Sequence, residues 1–308
     1  MSVDRRQDDP LEELLDLIPA LAGRPRVVEE LAGGLTNRNL KVTTPQGSFV
    51  ARCSSPNADA LGIDRDVEHH NSCAAEAAGV GAPVVDYRPD LGVLVIGFLE
   101  GRTLSCESFD DAGVIQRVAA SCRQLHDGPR FRGTFDMFER QQGYLRTVRT
   151  RGMRLPAGYL DHAETFYRIQ GALSVRAEAT VPCNNDLLAE NFVDDGCKVW
   201  LIDYEYSGNN DAAFELGNIG CECRLDADQL EALVTAYYGR PRRSKLARAR
   251  LQGIVGQYGW TLWGSIQDAV SPLDFDFWGW AIERFDLATS QIAGPDFEDL
   301  LRDVQLPD

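Results

Sequence analysis

Apolar and polar positions follow two rhythms along the chain, and the change between them divides it. Leu11, Leu14, Leu15, Ile18 and Leu21 recur at helical spacing. Ahead of them Asp9, Pro10 and Glu12 supply a cap, a first-turn proline and a capping-box acid, so the chain opens on a helix. Residues 28 to 53 then read as strand, Gly-rich turn, strand, a turn at Pro45-Gln46-Gly47, and strand. Asp64 caps a predicted helix running to Gly79, and residues 83 to 98 read as two strands joined at Pro89-Asp90-Leu91-Gly92. Past Gly101 the period becomes mostly helical, with one short β interruption between about 180 and 206. A β-rich first third and a helical remainder predict an α+β protein of two lobes, with Gly97-Phe98-Leu99-Glu100-Gly101 as the natural hinge.

The β interruption carries the chemistry. Cys183-Asn184-Asn185-Asp186-Leu187-Leu188-Ala189-Glu190-Asn191 is followed by Leu201-Ile202-Asp203-Tyr204-Glu205-Tyr206, and Asp194-Asp195-Gly196 between them is a hairpin turn. Phe192-Val193 and Lys198-Val199-Trp200-Leu201-Ile202 form its arms. Folding there sets Asn191 opposite roughly residue 200, with Asp203 some three residues further, or roughly 10 Å of strand. Phosphoryl transfer needs such a group. Mg2+ takes hard oxygen ligands, which Asn191 and Asp203 offer, and the attacking hydroxyl needs a carboxylate to orient it and accept its proton, a role that falls to Asp186. Leu31-Ala32-Gly33-Gly34-Leu35-Thr36-Asn37 lies between two predicted strands. Gly33 and Gly34 let backbone amides approach phosphates, and Thr36 and Asn37 add donors, although a Gly pair between strands is also an ordinary tight turn.

The Asp-x4-Asn spacing with a strand and Asp after it resembles the catalytic loop and metal Asp of protein kinases. The fuller text, Asn-Asp-Leu-Leu-Ala-Glu-Asn and then Ile-Asp-Tyr-Glu-Tyr-Ser, resembles the choline/ethanolamine kinase branch of the aminoglycoside phosphotransferase superfamily. The resemblance runs from about residue 30 to 290. It implies a protein-kinase-like fold: a small β-rich nucleotide-binding lobe over residues 1–97, a hinge at 98–101, and a helical catalytic and substrate lobe over 102–308. It implies ATP and Mg2+ as cofactors. Arg52, on the strand Phe49-Val50-Ala51-Arg52, occupies the place of the family's phosphate-binding cation, with Glu68 as its expected partner and Glu76 or Asp66 as alternatives. Phe98 and Leu99 of the hinge would contact adenine. One position departs from the pattern. Asn184 stands where the family has His two residues before the catalytic Asp. That His mainly braces the loop, so activity is expected to survive.

Four of the five tryptophans cluster late in the chain, and aromatic faces hold quaternary ammonium groups through cation–π attraction. Aromatic helix stripes also form ordinary core. The Trp-x-x-Trp stretch and the Ala-x-x-Arg-Phe ending are similar to the last helices of choline kinases. That similarity implies Trp260, Trp263 and Trp280 as walls of a cation box and Glu222 as its charge partner. The family has an aromatic residue soon after this acid; here Cys223-Arg224-Leu225 follow, so one wall is missing.

Charge and composition add limits. With 47 acidic against 31 basic residues the net charge is −16, which disfavours nucleic acid and suits a small cationic substrate. No apolar run reaches the eighteen or so residues of a membrane span, and the charged start has no apolar signal core, so no membrane insertion and a cytoplasmic location are expected. The eight cysteines show no paired framework and read as reduced thiols. His126, after Leu125 at a helix end, reads as a structural residue bonded to backbone, not a base. The expected activity is transfer of the γ-phosphate of ATP to the hydroxyl of choline or a related amino alcohol. An aminoglycoside or thiamine kinase, or a non-catalytic nucleotide-binding protein, are the alternatives. Oligomeric state is not legible.

Overall fold

The computed structural model describes residues 10–31, 37–54 and 61–307. Helix α1 (Pro10–Asp16) leads into strands β1 (Val27–Leu31), β2 (Asn37–Thr44) and β3 (Gly47–Ser54). The first helix is shorter than its spacing predicts. Pro19 has no amide hydrogen with which to continue it, yet the turns that follow still bury Ile18 and Leu21 completely. Helix α2 (Arg65–Ala77) starts where expected, with the Asp64 carboxylate accepting the amides of Asp66 and Val67. Strands β4 (Val84–Arg88) and β5 (Val93–Gly97) complete an antiparallel five-stranded sheet of order β1-β2-β3-β5-β4. Period-two alternation gives the sheet two jobs. Ala51, Leu40, Val42 and Val95 pack on Leu15, Ile18 and Leu21, while Val50, Arg52 and Ile96 face a cleft.

The remainder is mostly helical, as expected. A two-residue strand β6 (Arg102–Thr103) precedes α3 (Ala112–His126), α4 (Met137–Thr150) and α5 (Ala163–Val175). The β interruption follows as β7 (Val181–Cys183), β8 (Phe192–Asp194), β9 (Val199–Leu201) and β10 (Gly208–Asn210). Helices α6 (Ala212–Glu222), α7 (Ala227–Tyr238), α8 (Arg243–Val270), α9 (Phe277–Ile292) and α10 (Phe297–Asp303) close the chain. α8 is buried on every side from Leu251 to Gln267, so it forms the axis on which the other helices pack. α6 crosses it at Gly217, where a Cβ would lie 2.1 Å from the Ala249 carbonyl oxygen. That close approach brings Asn218 and Glu222 of α6 against Trp260 and Gln257 of α8.

Candidate active site

The segment before Asp186 is held through both its backbone amides and its two asparagine side chains. Glu215 of α6, fully buried, accepts the amides of Asn184 and Asn185 at 2.9 and 2.7 Å. Asn185 takes a left-handed conformation (φ 68°) and donates to the carbonyls of Cys183 and Tyr206. Asn184, in the place of the family's His, accepts the Asp186 amide and donates to the carbonyls of Ile202 and Asp203 at 3.0 and 2.8 Å. A side chain with both a donor and an acceptor thus ties the loop to the Asp203 strand end, which is the bracing the sequence reading assigned to that position.

The hairpin carries a correction. Its register is Phe192↔Leu201, and Ile202 donates to the Asn191 carbonyl, so Asn191 lies opposite residue 202, not 200. Both aspartates serve the turn: the Asp194 carboxylate accepts the amide of Gly196 and the Asp195 carboxylate those of Cys197 and Lys198, in a loop two residues longer than the tight turn expected. Asp203 is therefore one residue beyond Asn191's partner, and the two come closer than the sequence implied. Asp203 itself sits at φ 64°, an uncommon conformation for a residue with a Cβ. The Asn191 amide nitrogen donates to the Asp186 carbonyl at 2.7 Å, which presents its oxygen as the free ligand end.

Asp186, Asn191, Asp203 and Glu205 line one cleft of about 760 Å³ between the sheet and the helices. Arg52 enters it from β3, 2.5 Å from Asp203 and 3.0 Å from Glu68, so Glu68 is its partner and Glu76 and Asp66 are not. Glu76 instead accepts the amide of Val84, and Asp66 the hydroxyl of Tyr87. Burial pushes the Asp186 carboxyl well above its usual range, helped by the nearby charges of Asp203, Glu205, Glu222 and Glu215.

Other expected residues fare differently. Phe98 and Leu99 line the cleft, and Phe98 donates its amide to Ser48. Gly33, Gly34 and Thr36 lie outside the described residues. The Asn37 side-chain amide donates to Glu205 and accepts from Arg65, so both of its ends have partners inside the protein. Arg65 and Glu205 were missed. Arg65 bridges Glu68 and Glu205 at 2.6 and 3.3 Å, coupling the Arg52 pair to the cleft floor. The only sequence signal was the acid two residues after Asp203.

Trp260, Trp263 and Trp280 line the same cleft. Trp260 and Trp263 are only 4% and 6% exposed and belong to the helical core as well, so wall and core are one set of residues. Their indole nitrogens donate to Asn218 and to the Tyr206 hydroxyl, which fixes the ring planes. Glu222 is not a free carboxylate: Arg284 and Gln257 each reach one of its oxygens at 2.8 Å. His126 is structural, but bonded to the Tyr237 hydroxyl at 2.7 Å and not to backbone. With Cys183 and Glu215 it forms a buried group of metal-type donors outside the cleft; Glu215 there spends both oxygens on loop amides. All eight cysteines are unpaired. No helix among the described residues is long and apolar enough to cross a membrane.

An antiparallel sheet joined to a helical body, with hairpin-borne carboxylates in the cleft between them, defines a protein-kinase-like phosphotransferase fold. The family model for choline/ethanolamine kinase matches residues 28–237, more than half of the chain. A choline/ethanolamine kinase family protein from Mesorhizobium loti has the same fold at a TM-score of 0.86, with 32% identity over 96% of this chain and 98% of that one. The choline kinase LicA from Streptococcus pneumoniae superposes at a TM-score of 0.75, with 22% identity over 87% of this chain and 93% of that one. Protein LicA of Haemophilus influenzae is 28% identical over 273 residues, 83% of this chain and 77% of that protein. The chain belongs to the choline/ethanolamine kinase family and is a small-molecule kinase.

Proposed function

We propose that the protein transfers the γ-phosphoryl group of ATP, with Mg2+, to the hydroxyl of a small cationic amino alcohol, choline first. The observation that carries this reading is that Asp186, the Asn191–Asp203 pair and the tryptophan wall share one cleft. Relatives named choline kinase and ethanolamine kinase support the acceptor class.

The donor set at the cleft floor fits Mg2+. Asp186, Asn191, Asp203 and Glu205 offer hard oxygens, three of them carboxylates, which is the ligand chemistry that Mg2+ takes. Asn191 and Asp203 would hold the ion. When bound, Mg2+ neutralises charge on the phosphate oxygens and anchors the nucleotide. Arg52, aimed by Glu68 and released from Asp203, binds the α- and β-phosphates. Phe98 and Leu99, in a hinge at residues 98–101, take the adenine. Asp186 orients the acceptor hydroxyl and accepts its proton as the new O–P bond forms and the bond from the γ-phosphorus to the bridging oxygen breaks, with ADP as the leaving group. The tryptophan rings hold the ammonium end and so fix the distance from headgroup to hydroxyl.

The test is ATP consumption with Mg2+ in the presence of choline, ethanolamine, thiamine or a kanamycin-type aminoglycoside. Turnover with choline above the others is expected. Turnover only with an aminoglycoside or thiamine would replace the acceptor, and none with any of the four would overturn the reading.

A further inference from the structure

One wall of the cleft is a row of alternating charges. Gln257 donates to Glu222, Glu222 pairs with Arg284 at 2.8 Å, Arg284 reaches Glu283 at 3.3 Å, and Glu283 pairs with Arg224 at 3.1 Å near the rim. Glu222 and Arg284 are both nearly buried, with side chains 6% and 10% exposed. The Arg284 guanidinium also stacks on Trp280, its carbon 4.5 Å from the ring centroid. A resident cation therefore occupies both features that would otherwise receive the substrate's cation: the Glu222 carboxylate and one face of Trp280. Arg224 stands near the acid, where an aromatic wall would complete the box.

We propose that Arg284 is a positioning residue that sets headgroup selectivity, making the acceptor pocket take a quaternary ammonium in preference to a primary one. The inference rests on the amino-alcohol reading above. A primary ammonium is compact, strongly hydrated and carries three N–H donors, so leaving water it needs an acceptor with uncompensated charge. Glu222 does not supply one, because its charge is matched by Arg284 and each oxygen already accepts a bond. A quaternary ammonium has no donors to satisfy, and aromatic faces hold it through its diffuse charge. Trp260 and Trp263 line the cleft with their N–H groups committed to Asn218 and Tyr206, so what they offer a ligand there is aromatic surface and no donor. Arg284 thus spares Glu222 as a structural charge and leaves the aromatic surface as the recognition element.

Two measurements decide it. The first needs no variant and no turnover: tetramethylammonium and methylammonium are titrated into the wild-type protein, and binding is followed by tryptophan fluorescence. Tetramethylammonium is expected to bind at least tenfold more tightly; equal affinity, or tighter methylammonium, overturns the proposal. The second compares kcat/KM for choline and ethanolamine in wild type and Arg284→Gln. Freeing Glu222 is expected to lower the choline-to-ethanolamine ratio at least tenfold, mainly through a lower KM for ethanolamine. A variant that loses both acceptors by the same factor, ratio intact, shows Arg284 to be merely structural and overturns the proposal. If Arg284→Gln does not fold, the two-cation titration decides alone. If the wild type phosphorylates neither amino alcohol, the functional reading fails, while the titration still judges the pocket.

Discussion

At the scale of single residues, the cleft floor trades stability for chemistry. The Asp186 carboxyl titrates above its ordinary value, burial being the largest cause and the neighbouring carboxylates the next. Between the unfolded-state pKa of about 3.9 and the raised folded-state pKa, the folded protein binds the extra proton, so stability falls as pH climbs through that window. Asp186→Asn removes the cost. The metal-free variant is expected to melt at a higher temperature than wild type, by a margin that grows from pH 5 to pH 8. A margin that shrinks with pH would sink the charge account. The same variant should lose roughly 10²- to 10⁴-fold in kcat with little change in ATP affinity, because a proton acceptor acts on the transition state. Arg52 makes the complementary case. Removing a charged partner of phosphate should weaken ATP roughly 10- to 100-fold in Arg52→Ala. Glu68→Ala should cost less, since Glu68 only aims the guanidinium that would meet the phosphates. Nucleotide titration by calorimetry checks both, and a larger defect in Glu68→Ala would mean that Glu68 does more than aim Arg52.

At the scale of elements, what could be read in advance depended on how local the cause was. The strands β1 to β5 and the Asp64 cap were legible because alternation, turn residues and a capping carboxylate act over a few residues. The hairpin was found but set two residues off, because Asp195 closes a longer loop through its side chain, which the Asp-Asp-Gly text does not distinguish from a tight turn. The end of α1 was written in Pro19 and outweighed by an apolar period that the following turns also satisfy. The partners of the Asn37 side chain, Arg65 and Glu205, were not legible because they lie 28 and 168 residues away. The α6–α8 crossing was invisible for the same reason, and it makes a sharp test. At Gly217 a methyl would strike the backbone of α8, 2.1 Å from the Ala249 oxygen, whereas at Gly220 it would meet a Leu230 methyl at 3.0 Å, the movable end of a side chain. Gly217→Ala should therefore destabilise by about 3 kcal/mol or more and displace Glu222 and Asn218. Gly220→Ala should be near neutral, because the roughly 1 kcal/mol gain in helix propensity offsets the small shift of Leu230. Thermal melts of the pair decide the matter; equal losses would mean that the helices do not cross at Gly217.

At the scale of the whole molecule, the two substrates of the proposed reaction meet one field with opposite signs. The net charge is −16, and the cleft itself carries Asp186, Glu190, Asp203, Glu205, Glu222 and Glu283 against Arg52, Arg224 and Arg284. Such a surface concentrates a cationic amino alcohol and repels the nucleotide, which stays anionic even with its metal. Screening shortens from about 10 Å at 0.1 M salt to about 3 Å at 1 M. Raising the salt at fixed free Mg2+ should therefore raise KM for choline and leave KM for ATP unchanged or lower. A change of about two- to fivefold for choline is expected, because one unit charge is steered and the cleft is open to solvent. An uncharged alcohol of the same shape, 3,3-dimethyl-1-butanol, supplies the control. It keeps the apolar bulk and the hydroxyl but feels no field, so any turnover it supports should be insensitive to salt. If both substrates' KM values rise together, or the neutral alcohol follows choline, salt is acting on the fold or on metal binding. The acidic surface would then serve solubility, not capture of the acceptor.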